Sequence, residues 1–345
     1  MVAKVAEIAK MGKADKHKHR DTDYLYASSY IRSVEDRGLS RPLISRMLEA
    51  SDADAAVSAL LEARSALEGG GSINDAEELC DAFVNDSFRT VSEIVTDAAL
   101  FDFLRYQYDC NNIKTALKCH AKGIGTDGLL FSCGAIPESD IAKMASESDY
   151  SALPQIFAEA AKTAADNYAK TGDPQSIDLP LDLACLRAMA ESADATGEAL
   201  LSGAVRLRID TANVMTVLRV LKMKTERGAE LLERALSPLG NISKETLIRA
   251  YAEGVDAFIG AVKGSLPSGF GEKLSAELSL SVIERMADDA YLEYVYASRG
   301  DIFGVSVPFI YLTEREYNAK NARIIIAGKR AGLPYDEIRE RVRGL

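Results

Sequence analysis

The spacing of hydrophobic residues along the chain predicts helices. Apolar residues recur every three to four positions rather than at alternate ones, and good helix formers are frequent throughout. Residues 54–67 illustrate this, because one stripe of the helical surface would carry Val57, Leu60, Leu61 and Leu67. Gly- and Pro-rich turns separate the predicted helices at residues 69–72, 123–128, 171–174, 238–240 and 266–271. Segments with β propensity, such as 129–132 and 305–307, are too few for a sheet, so we predict an all-α fold.

A polar motif recurs along the chain without gaps. The segment beginning at Arg105 aligns with the one beginning at Arg206, with identical Arg, Asp, Asn, Thr and Leu and an offset of 101 residues. A weaker third copy lies 108 residues further on and has Glu in place of Arg and Asn in place of Asp. The motif residues are Arg105, Asp109 and Asn112; Arg206, Asp210 and Asn213; and Glu314, Asn318 and Asn321.

A second motif, a glycine before a short turn and an amphipathic helix, recurs out of step with the first. Its copies begin at Gly38, Gly134, Gly240 and Gly332, which are 96, 106 and 92 residues apart. Two motifs with a period near 100 residues favour internal triplication over coincidence among amphipathic helices. We expect a basic extension and then three helical lobes, which could interleave, at about residues 1–23, 24–122, 123–225 and 226–345.

The polar motif has two possible roles. On a helix, Arg206, Asp210 and Asn213 share one stripe, beside an apolar stripe that would pack inward. The three side chains could join neighbouring helices inside the protein, which is the interpretation we favour. Alternatively, they could meet a partner protein, where an Asn that both donates and accepts would determine the register of the contact.

Composition and charge exclude several classes of protein. Of the 345 residues, 47% are hydrophobic and 27% charged, as in ordinary globular proteins. A net charge of −11 argues against nucleic-acid binding, which needs clustered Lys and Arg. The longest run without a charged residue is residues 302–313, too short for the ~20 residues of a transmembrane helix. Lys4, Glu7 and Lys10 interrupt the first apolar stretch, so we predict a cytoplasmic protein without a secretory signal.

Motifs for catalysis or for cofactor binding are weak. The five cysteines lack a Cys-x-x-Cys pair, so we expect buried, reduced thiols. Gly123, Gly125 and Gly128 match a dinucleotide-binding pattern, but a helical segment precedes them where that pattern requires a strand. Asp288, Asp289 and Glu293 resemble a magnesium-binding cluster, although a solvent-exposed helix face is the simpler interpretation. We predict a non-catalytic protein with no cofactor, no metal site and no small-molecule substrate.

The polar motif, together with the two ends of the chain, resembles a known family. The segments are Tyr24-Leu-Tyr-Ala-Ser-Ser-Tyr-Ile-Arg32 and Glu314-Arg-Glu-Tyr-Asn318-Ala-Lys-Asn321-Ala-Arg-Ile, followed by Gly328-Lys329. They resemble the C subunits of the archaeal and bacterial A/V-type rotary ATPases, equivalent to the d subunits of eukaryotic vacuolar ATPases. The likeness extends from about Tyr24 to the C-terminus.

The resemblance implies both a fold and a role. It implies a funnel of three helical lobes with pseudo-threefold symmetry and no catalysis of its own. The implied location is peripheral, on the cytoplasmic face of the membrane, with one copy per complex. The implied partners are the central-stalk subunits and the proteolipid ring of the rotor, and the implied role is to couple ATP synthesis or hydrolysis to proton or sodium transport.

A different class, an all-α scaffold that binds unrelated proteins through a concave solenoid, is the alternative. Solenoid repeats of ~20–50 residues are shorter than the period found here.

Overall fold

The computed structural model describes residues 24–68 and 70–344. The predicted basic extension, residues 1–23, lies outside these ranges. The α-helices are α1 (Leu25–Val34), α2 (Arg41–Glu49), α3 (Ala53–Ala63), α4 (Ala76–Ile94), α5 (Tyr106–Ala121), α6 (Glu138–Glu147), α7 (Gln155–Thr171), α8 (Gln175–Thr196), α9 (Ala199–Met223), α10 (Gly228–Ala235), α11 (Lys244–Ala252), α12 (Val255–Lys263), α13 (Ser268–Gly271), α14 (Leu280–Tyr296), α15 (Ser306–Arg330) and α16 (Tyr335–Arg339). Short 3-10 helices lie at Arg64–Ala66, Gly70–Ser72 and Ala98–Leu104. These ranges contain no strand, and the all-α prediction is confirmed.

Helix starts are determined by local side chains. The Asp75 carboxylate accepts hydrogen bonds from the Glu77 and Glu78 N–H groups at the start of α4, at 2.9 and 3.0 Å. The Ser279 hydroxyl accepts one from the Val282 N–H at the start of α14. Such caps satisfy N–H groups that have no partner within the helix, and each contributes about 1 kcal/mol.

The chain forms two compact units. The first contains Leu100–Ala276, and the described part of the second combines residues 24–99 with residues 277–344. The second unit therefore brings together segments from both ends of the described chain. The division into three lobes stays a prediction.

The first unit packs around α5, α8 and α9. Helix α8 contacts α5, α7 and α9. The core of this unit includes the fully buried side chains of Phe157, Leu181, Leu201 and Ile209. The segment at 129–132, which has β propensity, lies in a turn region here.

The second unit packs around α15. This helix contacts α1, α2, α3 and α4 from the early part of the chain, and α14 and α16 from the late part. Phe309, Leu312, Ala319 and Ala322 are fully buried along it. Because α15 is buried on most sides, polar residues on it need partners within the protein.

Two further expectations can be compared with the structure. All five cysteines are buried and form no disulfide, as predicted. None of the described helices has the length and apolar character needed to cross a bilayer.

Candidate functional site

The polar motif on α9 binds the backbone of a loop. The Asn213 side-chain amide donates to the Ser237 carbonyl at 2.8 Å, and its oxygen accepts from the Ser237 N–H at 3.0 Å. Three residues earlier, Asp210 Oδ1 accepts from the Ile242 N–H at 2.9 Å. Asp210 and Asn213 are almost completely buried, at 1% and 2% exposure. Together these bonds attach the loop after α10 to the middle of α9, an arrangement that we call the α9 clamp.

The glycine motif lies directly against the α9 clamp. A Cβ atom added at Gly240 would collide with Asp210 Oδ1, so only glycine lets the loop approach the carboxylate this closely. The next residue, Asn241, donates its side-chain amide to Asp210 Oδ2 at 3.0 Å. Both carboxylate oxygens of Asp210 therefore have hydrogen-bond partners.

An equivalent α5 clamp exists one repeat earlier. Asn112 pairs with the N–H and C=O groups of Phe131, both at 2.8 Å, and Asp109 Oδ1 accepts from the Ile136 N–H at 2.9 Å. A Cβ atom at Gly134 would collide with Asp109 Oδ1. The Arg105 guanidinium donates to the carbonyls of Cys133 and Gly134. The two sequence motifs are thus two halves of one structure, a helix and the loop that it binds.

A third arrangement, the α15 clamp, joins α15 to one segment nearby in sequence and to another far away. Asn321 pairs with the N–H and C=O groups of Arg343, both at 2.9 Å, as Asn112 and Asn213 do with their loops. Asn318 donates to the Leu39 carbonyl at 3.1 Å, so its partner lies 279 residues away. This loop contains Gly38, the first copy of the glycine motif.

The arginine of the α15 clamp is Arg315, one residue after the position that aligns with Arg105 and Arg206. Glu314, which aligns with Arg206, forms ion pairs with Arg41 and Arg299 at 3.4 and 2.6 Å. Arg315 instead donates to the Leu39 and Glu35 carbonyls. Sequence comparison missed Arg315, because a gap-free alignment cannot represent a shift of one position.

The Arg206 contact is weaker than that of its two counterparts. Its guanidinium lies 3.4 Å from the Leu239 carbonyl and 3.0 Å from Asp194, and both side chains of this ion pair are substantially exposed. All the predicted motif residues therefore contact partners within the chain. The loop-binding set comprises Arg105, Asp109, Asn112, Arg206, Asp210, Asn213, Asn318 and Asn321, while Glu314 stays outside it.

Burial changes the acidity of the two clamp aspartates. Desolvation raises the pKa of Asp109 to about 7, although the Ile136 N–H and Arg105 act in the opposite direction. Desolvation also raises the pKa of Asp210, against hydrogen bonds from the backbone of Ile242 and from Asn241. A raised carboxyl pKa means that the folded protein favours the protonated, uncharged form.

The acidic residues of α14 form only part of the exposed face that we expected: Glu293 is exposed, whereas Asp288 and Asp289 are half-buried. Asp288 is half-buried and accepts from Tyr317, Lys320 and Arg343 at 3.1, 2.6 and 3.0 Å. Asp289 accepts from Arg285 and from the Gly344 N–H. The expectation was wrong for Asp288 and Asp289, because the pattern of α14 alone does not reveal the groups of α15 and the C-terminal segment that contact them.

The same acidic residues do not support a magnesium site. Asp289 and Glu293 line a cavity of about 750 Å³, but so do the cationic side chains of Arg41, Arg285 and Arg339. In the part of the chain that the structure describes, no group of three His, Cys, Asp or Glu side chains could hold a metal ion. The loop at Gly123–Gly128 follows α5 directly, so it also lacks the strand that a dinucleotide-binding loop requires.

Two comparisons with known proteins are informative. The profile of the family described as "ATP synthase (C/AC39) subunit" matches residues 27–341. The chain is also similar to the C subunit of the V-type sodium ATPase of Enterococcus hirae. The two are 22% identical over 262 residues, which cover 74% of this chain and 78% of the relative.

Proposed function

Because the chain belongs to the ATP synthase (C/AC39) subunit family, we propose that it links the central stalk of a rotary ATPase to the membrane ring. In this role it couples ATP synthesis or hydrolysis to the transport of protons or sodium ions. Members of this family are non-catalytic stalk subunits of V-type ATPases, so the chain is not itself an enzyme.

The observation that carries the proposal is the family match over residues 27–341, almost the whole described chain. A match of this extent covers both compact units, so the proposal concerns the protein as a whole. The proposed partners are the central-stalk subunits and the proteolipid ring, with one copy of this chain in each complex. The proposed location is peripheral, at the cytoplasmic face of the membrane.

The three clamps support a role in transmitting torque. A linker that transmits rotation must resist deformation, and loops are ordinarily the most deformable parts of a helical protein. Here buried amide and carboxyl groups bind loop backbones to the long helices α5, α9 and α15. Because each such hydrogen bond contributes about 0.5–1.5 kcal/mol net of the bonds to water that replace it, the several bonds of a clamp oppose opening of its loop.

We assign the motif residues to internal support rather than to partner docking. Asp109 and Asn112 are completely buried, and Asp210 and Asn213 are 1% and 2% exposed. Asp210→Ala should therefore lower the melting temperature of the isolated protein and leave its affinity for the stalk unchanged. Weakened stalk binding by a variant with an unchanged melting temperature would instead place these residues at a docking surface.

Copurification tests the proposed assembly. The tagged chain, isolated from its native membranes in mild detergent, should carry the central-stalk subunits and the ring proteolipid, identified by mass spectrometry. Recovery with unrelated proteins alone would support the scaffold alternative.

Removal of the protein tests the coupling role. Membranes from a deletion strain should lose ATP-driven ion transport, and a plasmid that encodes the chain should restore it. Asp210→Ala is the matched variant. Because this substitution is expected to lower stability and not stalk affinity, ion transport should be restored at a temperature at which the variant stays folded. Full coupling in membranes that contain no trace of the protein would contradict the proposal.

A further inference from the structure

The α5 and α9 clamps share the contacts that their Asn and Asp side chains make with the loop backbone. In each, an Asn binds one loop residue through both of its backbone groups, and an Asp accepts the N–H of an Ile two residues after a glycine. Each Asp also follows an Arg by one helical turn. A difference in the hydrogen-bond partners of Asp109 and Asp210 therefore indicates a difference in how the two residues hold their loops.

At the second carboxylate oxygen, the difference between the two clamps is one loop side chain. The α9 loop reads Gly240-Asn241-Ile242, and Asn241 donates to the second carboxylate oxygen of Asp210. The α5 loop has Ala135 at the equivalent position, and an alanine side chain has no hydrogen-bond donor. Asp109 Oδ2 is consequently buried without a hydrogen-bond partner among the described residues.

The charged groups around Asp109 do not compensate for the missing donor. Arg105 attracts the carboxylate, but its guanidinium also donates to the loop carbonyls, and Asp102 repels it. Helices α6, α7 and α8 pack against α5. Their charged side chains are exposed or engaged with other residues. Glu138, Lys162, Asp166 and Lys170 are exposed, and Asp140 is partly exposed. The others contact partners: Lys143 pairs with Glu147, Glu159 bonds Gln155, Asp178 pairs with Lys118, Asp182 with Lys114, Arg187 with Glu191 and Asp194 with Arg206.

An ionised carboxylate with one bare, buried oxygen is unfavourable, because it loses hydration without gaining a donor. There are two ways to remove the penalty: the carboxyl binds a proton, or the loop opens and admits water to the oxygen. We propose that Asp109 is a proton-controlled latch on the 131–136 loop, closed when the carboxyl is protonated and loosened when it is ionised. Asp210, supported by Asn241, holds its own loop with much less dependence on pH.

The direction of the effect follows from the acidity of Asp109. Burial raises its pKa to about 7 in the closed state, whereas an opened loop would return it toward the ordinary value of 3.8. The closed state therefore holds the proton more tightly. The free-energy difference that favours the closed loop over the open one is therefore largest below about pH 4. It declines as the pH rises toward 7 and changes little above that.

Hydrogen exchange of the full-length chain tests the latch. Amide protection in peptides spanning residues 129–137, corrected for the intrinsic pH dependence of exchange, should fall at least about tenfold between pH 5 and pH 7. It should then level off. In peptides spanning residues 235–243, the equivalent loop of the α9 clamp, the amide protection should fall several-fold less over the same pH range.

Exchanging the loop residues Ala135 and Asn241 supplies the controls. Ala135→Asn should flatten the pH response of the 129–137 peptides, and Asn241→Ala should create one in the 235–243 peptides. Asp109→Asn, which retains an oxygen for the Ile136 N–H but cannot ionise, should also flatten the response. Protection at 129–137 that does not vary with pH in the natural sequence, or that varies equally in Ala135→Asn, would overturn the proposal.

Discussion

The α9 clamp and the α15 clamp use the same chemistry over very different lengths of chain. Asn213 and its counterpart Asn321 bind residues only 24 and 22 positions away, whereas Asn318 of the α15 clamp donates to Leu39 across 279 positions. Because the entropy of closing a loop grows only slowly with its length, a long-range clamp of this kind is thermodynamically accessible. The comparison shows that one motif can either order a local loop or attach an early segment of the chain to a late helix.

The largest expected effect is at the arginine of the α15 clamp. Arg315 is 5% exposed and donates to carbonyls of the 34–39 segment. Arg315→Met should lower the free energy of unfolding by about 3 kcal/mol, because it removes a buried guanidinium that donates to the Leu39 and Glu35 carbonyls, and only the Leu39 carbonyl keeps a side-chain donor, Asn318. Urea denaturation measures this. The matched control is Arg187→Met, an exposed ion pair on α8, for which a change below about 0.5 kcal/mol is expected. Equal losses in both variants would mean that Arg315 does not hold the loop.

The next effect compares the three clamp asparagines. Asn112→Ala, Asn213→Ala and Asn321→Ala should each lower the free energy of unfolding by about 2 kcal/mol, since each leaves a backbone N–H and C=O unpaired. Asn167→Ala on α7, at a partly exposed position, is the control. Asn321→Ala should also speed proteolysis near Arg343, the residue that it binds. A loss confined to one of the three variants would show that the clamps are not energetically equivalent.

A smaller effect is expected where glycine meets the aspartate. Gly134→Ala and Gly240→Ala should each destabilise the protein by about 1–2 kcal/mol, because the new methyl group would collide with the carboxylate. Gly260→Ala on α12 is the control, since its Cβ would meet nothing within 4 Å and alanine favours helix. Thermal unfolding should show a lower melting temperature for Gly134→Ala and Gly240→Ala and no decrease for Gly260→Ala. Stabilisation by Gly240→Ala would mean that the close approach of the loop is not required.

Among the clamp arginines, the smallest effect is expected at Arg206. Its ion pair with Asp194 has side chains that are 39% and 47% exposed. Arg206→Met should cost less than about 1 kcal/mol, and the difference should shrink further in high salt. Arg105→Met, which removes donors from Cys133 and Gly134, should cost more and depend less on salt. The reverse order would mean that Arg206 holds its loop more strongly than Arg105 does.

Much of the site could be recognised without the structure. Repetition along the chain identified Asp109, Asn112, Asp210 and Asn213, and it identified the glycine motif as a second repeated feature. It missed Arg315, which is displaced by one position from the aligned copies. It also misjudged Asp288, whose partners belong to α15 and to the C-terminal segment.

The sequence by itself determined the helical class and the places where helices begin and end. These depend on hydrophobic spacing and on capping side chains such as Asp75, which act over three or four residues. Only the tertiary structure decided which groups meet: that Gly240 touches Asp210, that the 34–39 segment is held by α15, and that Asp109 has a bare oxygen where Asp210 has Asn241. The physical reason is that hydrogen bonds and desolvation depend on atomic distances in space, and distant parts of the chain determine those distances.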